Sequence, residues 1–416
     1  MVNGKHFRNA TMFFRVVLLT LAGSFIYAMI SGIRNNYGIM LNPIIDNSGL
    51  SFTSVSFVLA VGQLVFGLVQ PLFGIMAAKK GNVFALVCGI VLMLIGMILT
   101  PLSKSMFTLM LGLGVILPAG TGALSYGVII GTITPKIPTT SVSTVSGIVN
   151  ASTGIGNTTL SPIINSLIRT GGLMHGMLVL AVPTLLMLPI SILMGKNPNK
   201  KQPSQATVVQ APQINIKDLF RKALRSKSYM YLMIGFFTCG FHMALITNHL
   251  PTQIQSFGFT PETTAYAFSI YGITTILGSV LSGSLCDKLK MKNVLGLFYG
   301  LRPITILFFL ILPKTIVTVV LFTALFGFSG SSTVPPVSGI ISRTFGAGSI
   351  ATLFGFVFFI HQIGGFFGAW FGGVCFDVTG SYTTIWIFGV AFSAIASIVN
   401  FLIKETKRGE PPAKAV

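Results

Sequence analysis

Gly74-Ile-Met-Ala-Ala-Lys-Lys80 ends one long apolar run, and Gly283-Ser-Leu-Cys-Asp-Lys-Leu289 ends another 209 residues later. The same offset relates Gly49-Leu-Ser51 to Gly258-Phe-Thr260, the turn residues that open those two runs. Such a spacing marks an internal duplication of two halves. Around the copies, the 416-residue chain is 52% hydrophobic and only 8% charged, about a third of the charge of a soluble domain. That composition excludes a soluble enzyme, a disordered chain and a disulfide-stapled secreted domain.

Apolar windows of about 20 residues are long enough to span a bilayer. Punctuated by Lys, Arg, Pro and Gly, they predict twelve helices. The first six cover 14–41, 53–77, 83–101, 106–133, 140–167 and 173–194; the second six cover 230–253, 262–286, 293–312, 316–341, 350–374 and 383–403. The fold class is therefore an all-α membrane protein, twelve transmembrane helices in two six-helix halves (a 6+6 pseudo-symmetric repeat). Residues 1–195 and 229–403 form the two bundles, 196–228 a basic linker and 404–416 a tail. In the linker, Lys217-Asp-Leu-Phe-Arg-Lys-Ala-Leu-Arg225 interleaves charge with Leu219, Phe220 and Leu224, the pattern of an amphipathic helix on the inner leaflet. The first apolar run lacks the short core and small-residue cleavage site of a signal peptide.

Charge sets the orientation. The chain has 27 Lys and Arg against 7 Asp and Glu, a net +20. With the N-terminus cytoplasmic, 22 of the 27 fall inside, Lys104, Arg169 and Lys314 fall outside, and Arg34 and Arg302 fall within spans. Cytoplasmic loops retain Lys and Arg, so both termini are expected inside, in a multi-pass protein of the cytoplasmic (inner) membrane. The excess charge then reports topology, with anionic lipid as its partner and no role in nucleic-acid binding. Cys88, Cys239, Cys286 and Cys375 form no CxxC pair or metal spacing. There is no GxxxxGK[ST] loop, no His-Glu-x-x-His and no paired carboxylates, so neither an ATP-driven pump, a metal site nor an enzyme is expected, and no cofactor.

In this setting the chain resembles the major facilitator superfamily over essentially its whole length. That family's signature between its second and third helices runs G-x-x-x-D-K/R-x-G-x-K/R. Here Gly74, Lys79 and Gly81 match, while Ala78 replaces the acid; the second copy keeps Gly283, Asp287 and Lys288. Three further stretches are similar to bacterial monocarboxylate and oxalate–formate carriers: Ser31-Gly-Ile-Arg-Asn-Asn-Tyr-Gly38, Gly240-Phe-His-Met-Ala-Leu-Ile-Thr-Asn-His-Leu-Pro251, and His361-Gln-Ile-Gly-Gly through Phe376-Asp-Val-Thr-Gly-Ser-Tyr382. The resemblance implies a central cavity lined by helices 1, 4, 7 and 10, with gating at Lys79, Asp287 and Lys288. Losing the first acid leaves the gating ion pair to the second copy.

Subtracting the loops leaves only bases in the membrane. Asp46, Glu262 and Asp377 fall outside, while Asp218, Asp287, Glu405 and Glu410 fall inside or at the inner rim. Arg34, Arg302, His242, His249 and His361 remain. An arginine at the bilayer centre costs roughly 2.5–3.5 kcal/mol and is usually functional or paired. Arg34 needs carbonyls, water or an anionic ligand, and a carboxylate substrate would supply the counter-charge through a bidentate contact. Tyr27, Ser31 and Tyr37, at −7, −3 and +3, share its helix face, with Asn35 and Asn36 beside it; the alternative is an arginine snorkelling to the outer headgroups.

His242 is a candidate proton carrier or substrate contact, or else a neutral helix–helix hydrogen bond. His249, before Pro251, is a gate or interfacial residue. His361 precedes a glycine face (Gly365, Gly368, Gly372) and, with Gln362, faces either the cavity or a helix contact. Arg302 reads as an arginine bonded to neighbouring helix carbonyls. Tyr126 is a further polar group at this depth. Pro118-Ala-Gly-Thr-Gly122 and Pro335-Pro-Val-Ser-Gly339 occupy matching places in two helices, where bendable segments mark moving parts. The reading that follows is a monomeric secondary transporter of a small organic anion, a mono- or dicarboxylate, driven by protons or by anion exchange. The alternatives are efflux of a larger amphipathic drug or chelator, and a non-transporting sensor or scaffold.

Overall fold

The computed structural model describes residues 2–138, 141–195, 216–346 and 350–405. Every regular element among them is helical, α1 to α17 with short π and 3₁₀ segments between. The bilayer dictates this, since it offers backbone groups no partner and a helix satisfies them internally. Among the described residues, eleven stretches are long and apolar enough to cross a membrane. One of them, Thr144–Gly195, holds both the fifth and sixth expected spans. At 1.5 Å per residue it would be about 78 Å long, against a hydrocarbon core of about 30 Å. It is interrupted at Gly172, where φ of 73° and ψ of −174° leave the helical region; only glycine takes such a conformation cheaply.

Several expected spans are single windows of sequence but compound helices in space. The first is α1 (Val2–Arg34), a two-residue turn and α2 (Tyr37–Ser48), followed by α3 (Phe52–Lys80) and α4 (Asn82–Leu102). The fourth is α5 (Met106–Leu109), a π segment Met110–Ile116, α6 (Leu117–Ala123) and α7 (Tyr126–Ile133). Its break falls at Leu124 and Ser125, just past the Pro118–Gly122 stretch. After α8 (Val142–Gly195) and α9 (Ile216–Arg225), α10 (Lys227–Ala244) passes through a π segment Leu245–His249 into α11 (Leu250–Ser256). Next come α12 (Pro261–Lys288) and α13 (Met291–Ile311), then α14 (Ile316–Gly330), which reaches α15 (Val334–Phe345) through a 3₁₀ turn beside Pro335 and Pro336. Finally α16 (Ile350–Thr379) and α17 (Thr383–Phe401) close the described fold.

Before residue 195, α1 packs along α8 and α4 packs on α6 and α8; after residue 216, α10 packs on α16 and α17, and α13 on α17. Contacts joining these sets include α3 with α16, α8 with α12, and α2 with the π segment Leu245–His249, α11 and α12. Glycines make the tightest seams. A Cβ at Gly240 would overlap the His361 carbonyl, and one at Gly364 or Gly368 would overlap Phe237 or Phe241. The glycine face expected on α16 thus meets α10.

The linker residues 196–215 and tail residues 406–416 lie outside the described residues. α9 forms where the amphipathic pattern placed a helix, but part of its apolar side is covered by protein. Leu219 and Ala223 are buried, and the Phe220 ring lies 5.2 Å from Phe356 of α16. Arg221, Lys222, Leu224 and Arg225 stay exposed.

Candidate functional site

Arg34 ends α1. Beyond it the backbone turns at Asn35 and Asn36, and side-chain hydrogen bonds pin the turn. Asn36 Nδ2 donates to the Gly32 carbonyl at 2.6 Å, and Ser161 Oγ donates to Asn36 Oδ1 at 2.7 Å. Asn35 Nδ2 donates to Asn157 Oδ1 at 3.1 Å. Both asparagines therefore anchor the break to α8. Tyr37 belongs to α2, so it does not continue the α1 face by helical spacing as expected. Its hydroxyl is buried without a hydrogen-bond partner among the described residues, yet it and Tyr27 remain within electrostatic reach of Arg34.

The Arg34 side chain crosses to α3 instead of reaching for a headgroup. It is half-buried, donates to Gln63 Oε1, and places its guanidinium carbon 3.9 Å from the Phe66 ring centre. Gln63 and Phe66 are three residues apart and so share a helix face. Both partners are neutral. From α16, Gln362 reaches the same seam with its stem against Gly67, and a Cβ at Gly365 would touch Gln63 at 3.6 Å. Gln362 is 1% exposed, and neither amide atom has a hydrogen-bond partner among the described residues. A buried, unsatisfied amide is costly, and Gln362 packs at Gly67 on the same α3 face that presents Gln63 and Phe66 to Arg34. Tyr27 lies 5.7 Å from Tyr126, whose hydroxyl donates to the Ser146 carbonyl at 3.0 Å, and Ser31 is buried one turn before Arg34.

The other bases are held by neutral groups, with His242 Nδ1, His361 Nδ1 and Arg302 Nε and Nη1 left without a hydrogen-bond partner among the described residues. His242 is fully buried and its Nε2 lies 3.0 Å from the Gly389 carbonyl, so that nitrogen carries the proton; the ring packs on Phe326 at 5.6 Å. His249 Nε2 donates likewise to the Ala369 carbonyl at 2.6 Å, with Phe52 on one side and Tyr382 on the other. Arg302 is 0% exposed and donates to the carbonyls of Ser329 and Gly330 at 2.9 and 3.1 Å, lies 3.5 Å from the Cys239 sulfur, and stacks over Tyr299. Those carbonyls sit where α14 ends. His361 is half-buried and stacked on Phe358, 5.4 Å apart and 6° from parallel.

Lys79, Asp287 and Lys288 are exposed at the ends of α3 and α12. At the opposite rim, the Thr53 amide donates to Asp377 Oδ2 at 2.8 Å, Phe52 packs on Phe376 at 4.8 Å, and Arg169 pairs with Glu262. Each of these pairs joins a helix before residue 195 to a segment after residue 216. This cluster was not singled out in the sequence, because its partners lie more than 90 residues apart. Gln63, also not singled out as a site residue, carries one signal in the sequence, the helix face it shares with Phe66, Gly67 and Gln70.

A multi-pass helical protein that holds a cation among neutral groups in one set of helices, on a face packed against the other set, is, in class, a solute transporter. The chain belongs to the Major Facilitator Superfamily, whose sequence model matches residues 20–369 and again 250–416. It is 24% identical over 405 residues to YcxA, an MFS-type transporter of Bacillus subtilis, covering 94% of this chain and 97% of the relative. It is 24% identical over 396 residues to the oxalate:formate antiporter of Oxalobacter formigenes, covering 93% and 91%. Monocarboxylate transporter 13 of Rattus norvegicus is 23% identical over 391 residues, covering 90% and 86%. The fold is shared with a crystal structure of a D-xylose-proton symporter at a TM-score of 0.72 and 13% identity, covering 96% of this chain and 100% of that one. It is a transporter, not an enzyme.

Proposed function

We propose that this chain carries a small organic anion, a mono- or dicarboxylate, across the cytoplasmic membrane by alternating access. One observation carries the reading: Arg34 has only neutral partners, Gln63 and Phe66, on the face of α3 that also packs against Gln362 of α16, whose amide is unsatisfied among the described residues. A carboxylate there pairs the guanidinium through two parallel hydrogen bonds and satisfies the amide. It also bridges α1 and α3 to α16, so binding draws the two sets together. The monocarboxylate transporters and the oxalate:formate antiporter among the relatives agree with a carboxylate.

The architecture we infer has twelve crossings, because Gly172 divides the 52-residue stretch Thr144–Gly195 into two. Residues 1–195 and 229–403 are then the two six-helix bundles, with 196–228 between them, and the distribution of Lys and Arg supports cytoplasmic termini. Lys79, Asp287 and Lys288 stand at the cytoplasmic rim as gating residues. Protons or a second anion supply the coupling. His361 is the candidate for a proton route, since it is half-buried whereas His242 and His249 are bonded to carbonyls of other helices.

Uptake of labelled carboxylates into proteoliposomes tests the reading, with wild type and Arg34→Gln compared under a pH gradient and then with anion trapped inside. Losing one partner of a buried charge pair costs about 2–5 kcal/mol, so uptake efficiency in the variant should fall about thirtyfold or more. Flux that follows the gradient indicates symport, and flux that requires internal anion indicates exchange. A wild type that moves no carboxylate, or an Arg34→Gln variant that transports normally, overturns the proposal.

A further inference from the structure

Next to Arg34 lies a run of aromatic rings that binding of a carboxylate alone leaves unused. Phe66, under the guanidinium, meets the Phe358 ring of α16 edge-on at 6.4 Å. Phe358 is flanked by two parallel rings, His361 at 5.4 Å and 6°, and Phe354 at 6.5 Å and 20°. Phe66, Phe354, Phe358 and His361 are all partly exposed, so their faces are not sealed in the core. The run spans the seam between the two helix sets.

The second arginine at depth presents no surface to a substrate, although only its Nη2 is hydrogen-bonded among the described residues. Arg302 is 0% exposed and bonded to the Ser329 and Gly330 carbonyls. A dicarboxylate at Arg34 would therefore bury a second charge with no cation to meet it, which is strongly unfavourable. Gln362 offers a neutral amide instead, suited to the far oxygen of the same carboxylate or to a carbonyl beside it.

We infer that the Arg34 site takes an aromatic monocarboxylate, its single carboxylate on Arg34 and Gln362 and its ring against Phe66 and Phe358. The inference rests on the carboxylate reading above and narrows it. Favourable ring pairs add to the affinity gained from burial, by about two- to tenfold per contact.

Competition against labelled pyruvate uptake in proteoliposomes of the full chain tests this, with phenylpyruvate, unlabelled pyruvate and oxalate as competitors; all three are ionised at neutral pH. Phenylpyruvate should compete at a concentration at least about tenfold below pyruvate, and oxalate should compete least. In Phe358→Leu the ratio of pyruvate to phenylpyruvate half-inhibition should fall about two- to tenfold, and Phe358→Tyr should restore it. Phenylpyruvate no better than pyruvate, or oxalate equal to either, overturns the inference while pyruvate uptake keeps the carboxylate reading intact. If no carboxylate is taken up at all, the reading fails and the inference with it.

Discussion

Arg302 and Arg34 both lie in apolar helices, but their surroundings assign them different work. Arg302 donates to two carbonyls where α14 gives way to the 3₁₀ turn. Buried acceptors left without donors cost about 1–3 kcal/mol, and truncation would also open a cavity. Arg302→Ala should therefore lower the melting temperature of the detergent-purified protein. Arg34→Ala should melt near wild type while losing carboxylate flux. A normal melting curve for Arg302→Ala with transport abolished would move Arg302 into the functional site. Arg34 was legible as an unpaired base by subtracting the acids from the spans. Its partners Gln63 and Phe66 were not, because both come from α3 and no local spacing links them to it. His242 shows the same limit from the other side. Its depth was legible, but the Gly389 carbonyl that engages it lies 147 residues away.

Helix packing makes sharper demands than hydropathy does. Gly364 faces the Phe237 carbonyl so closely that any side chain must displace backbone, whereas a Cβ at Gly355, on the same helix, meets nothing within 4 Å. Gly364→Val should lose folded protein on size exclusion, since overpacking at a backbone contact costs about 1–3 kcal/mol or more. Gly355→Ala should stay within about 0.5 kcal/mol of wild type; equal behaviour of the two would contradict the α10–α16 seam. The glycine face of α16 was visible from its periodicity, and the apolar stretches from their length. The turn at Asn35 and Asn36 was not, because a hydropathy window averages over two polar residues. What fixes that turn is tertiary: Asn157 and Ser161 of α8 hold the asparagines in place. The partial cover over α9 was missed for a similar reason. An amphipathic pattern shows that an apolar face exists, not whether lipid or Phe356 meets it.

Across the whole molecule, Thr53–Asp377, Phe52–Phe376 and Arg169–Glu262 gather at one rim. These contacts hold the two helix sets together at that rim. An exposed ion pair contributes about 0–1 kcal/mol, so Glu262→Gln should raise the population open at that rim by up to about fivefold. In a background with Cys88, Cys239, Cys286 and Cys375 replaced by alanine, Ser56→Cys reports on this, because Ser56 is buried against Gly373. Faster thiol labelling in Glu262→Gln is expected; an unchanged rate would mean that the pair does not hold the rim.

The joined rim also gives the protein a sided pharmacology. A bulky, impermeant aromatic acid offered from the Asp377 face would have to part Phe52 from Phe376 and Thr53 from Asp377 before it reached Arg34. With Lys79 cytoplasmic, such a blocker should act promptly in inside-out vesicles and only slowly, at the pace of the carrier's own turnover, in right-side-out ones.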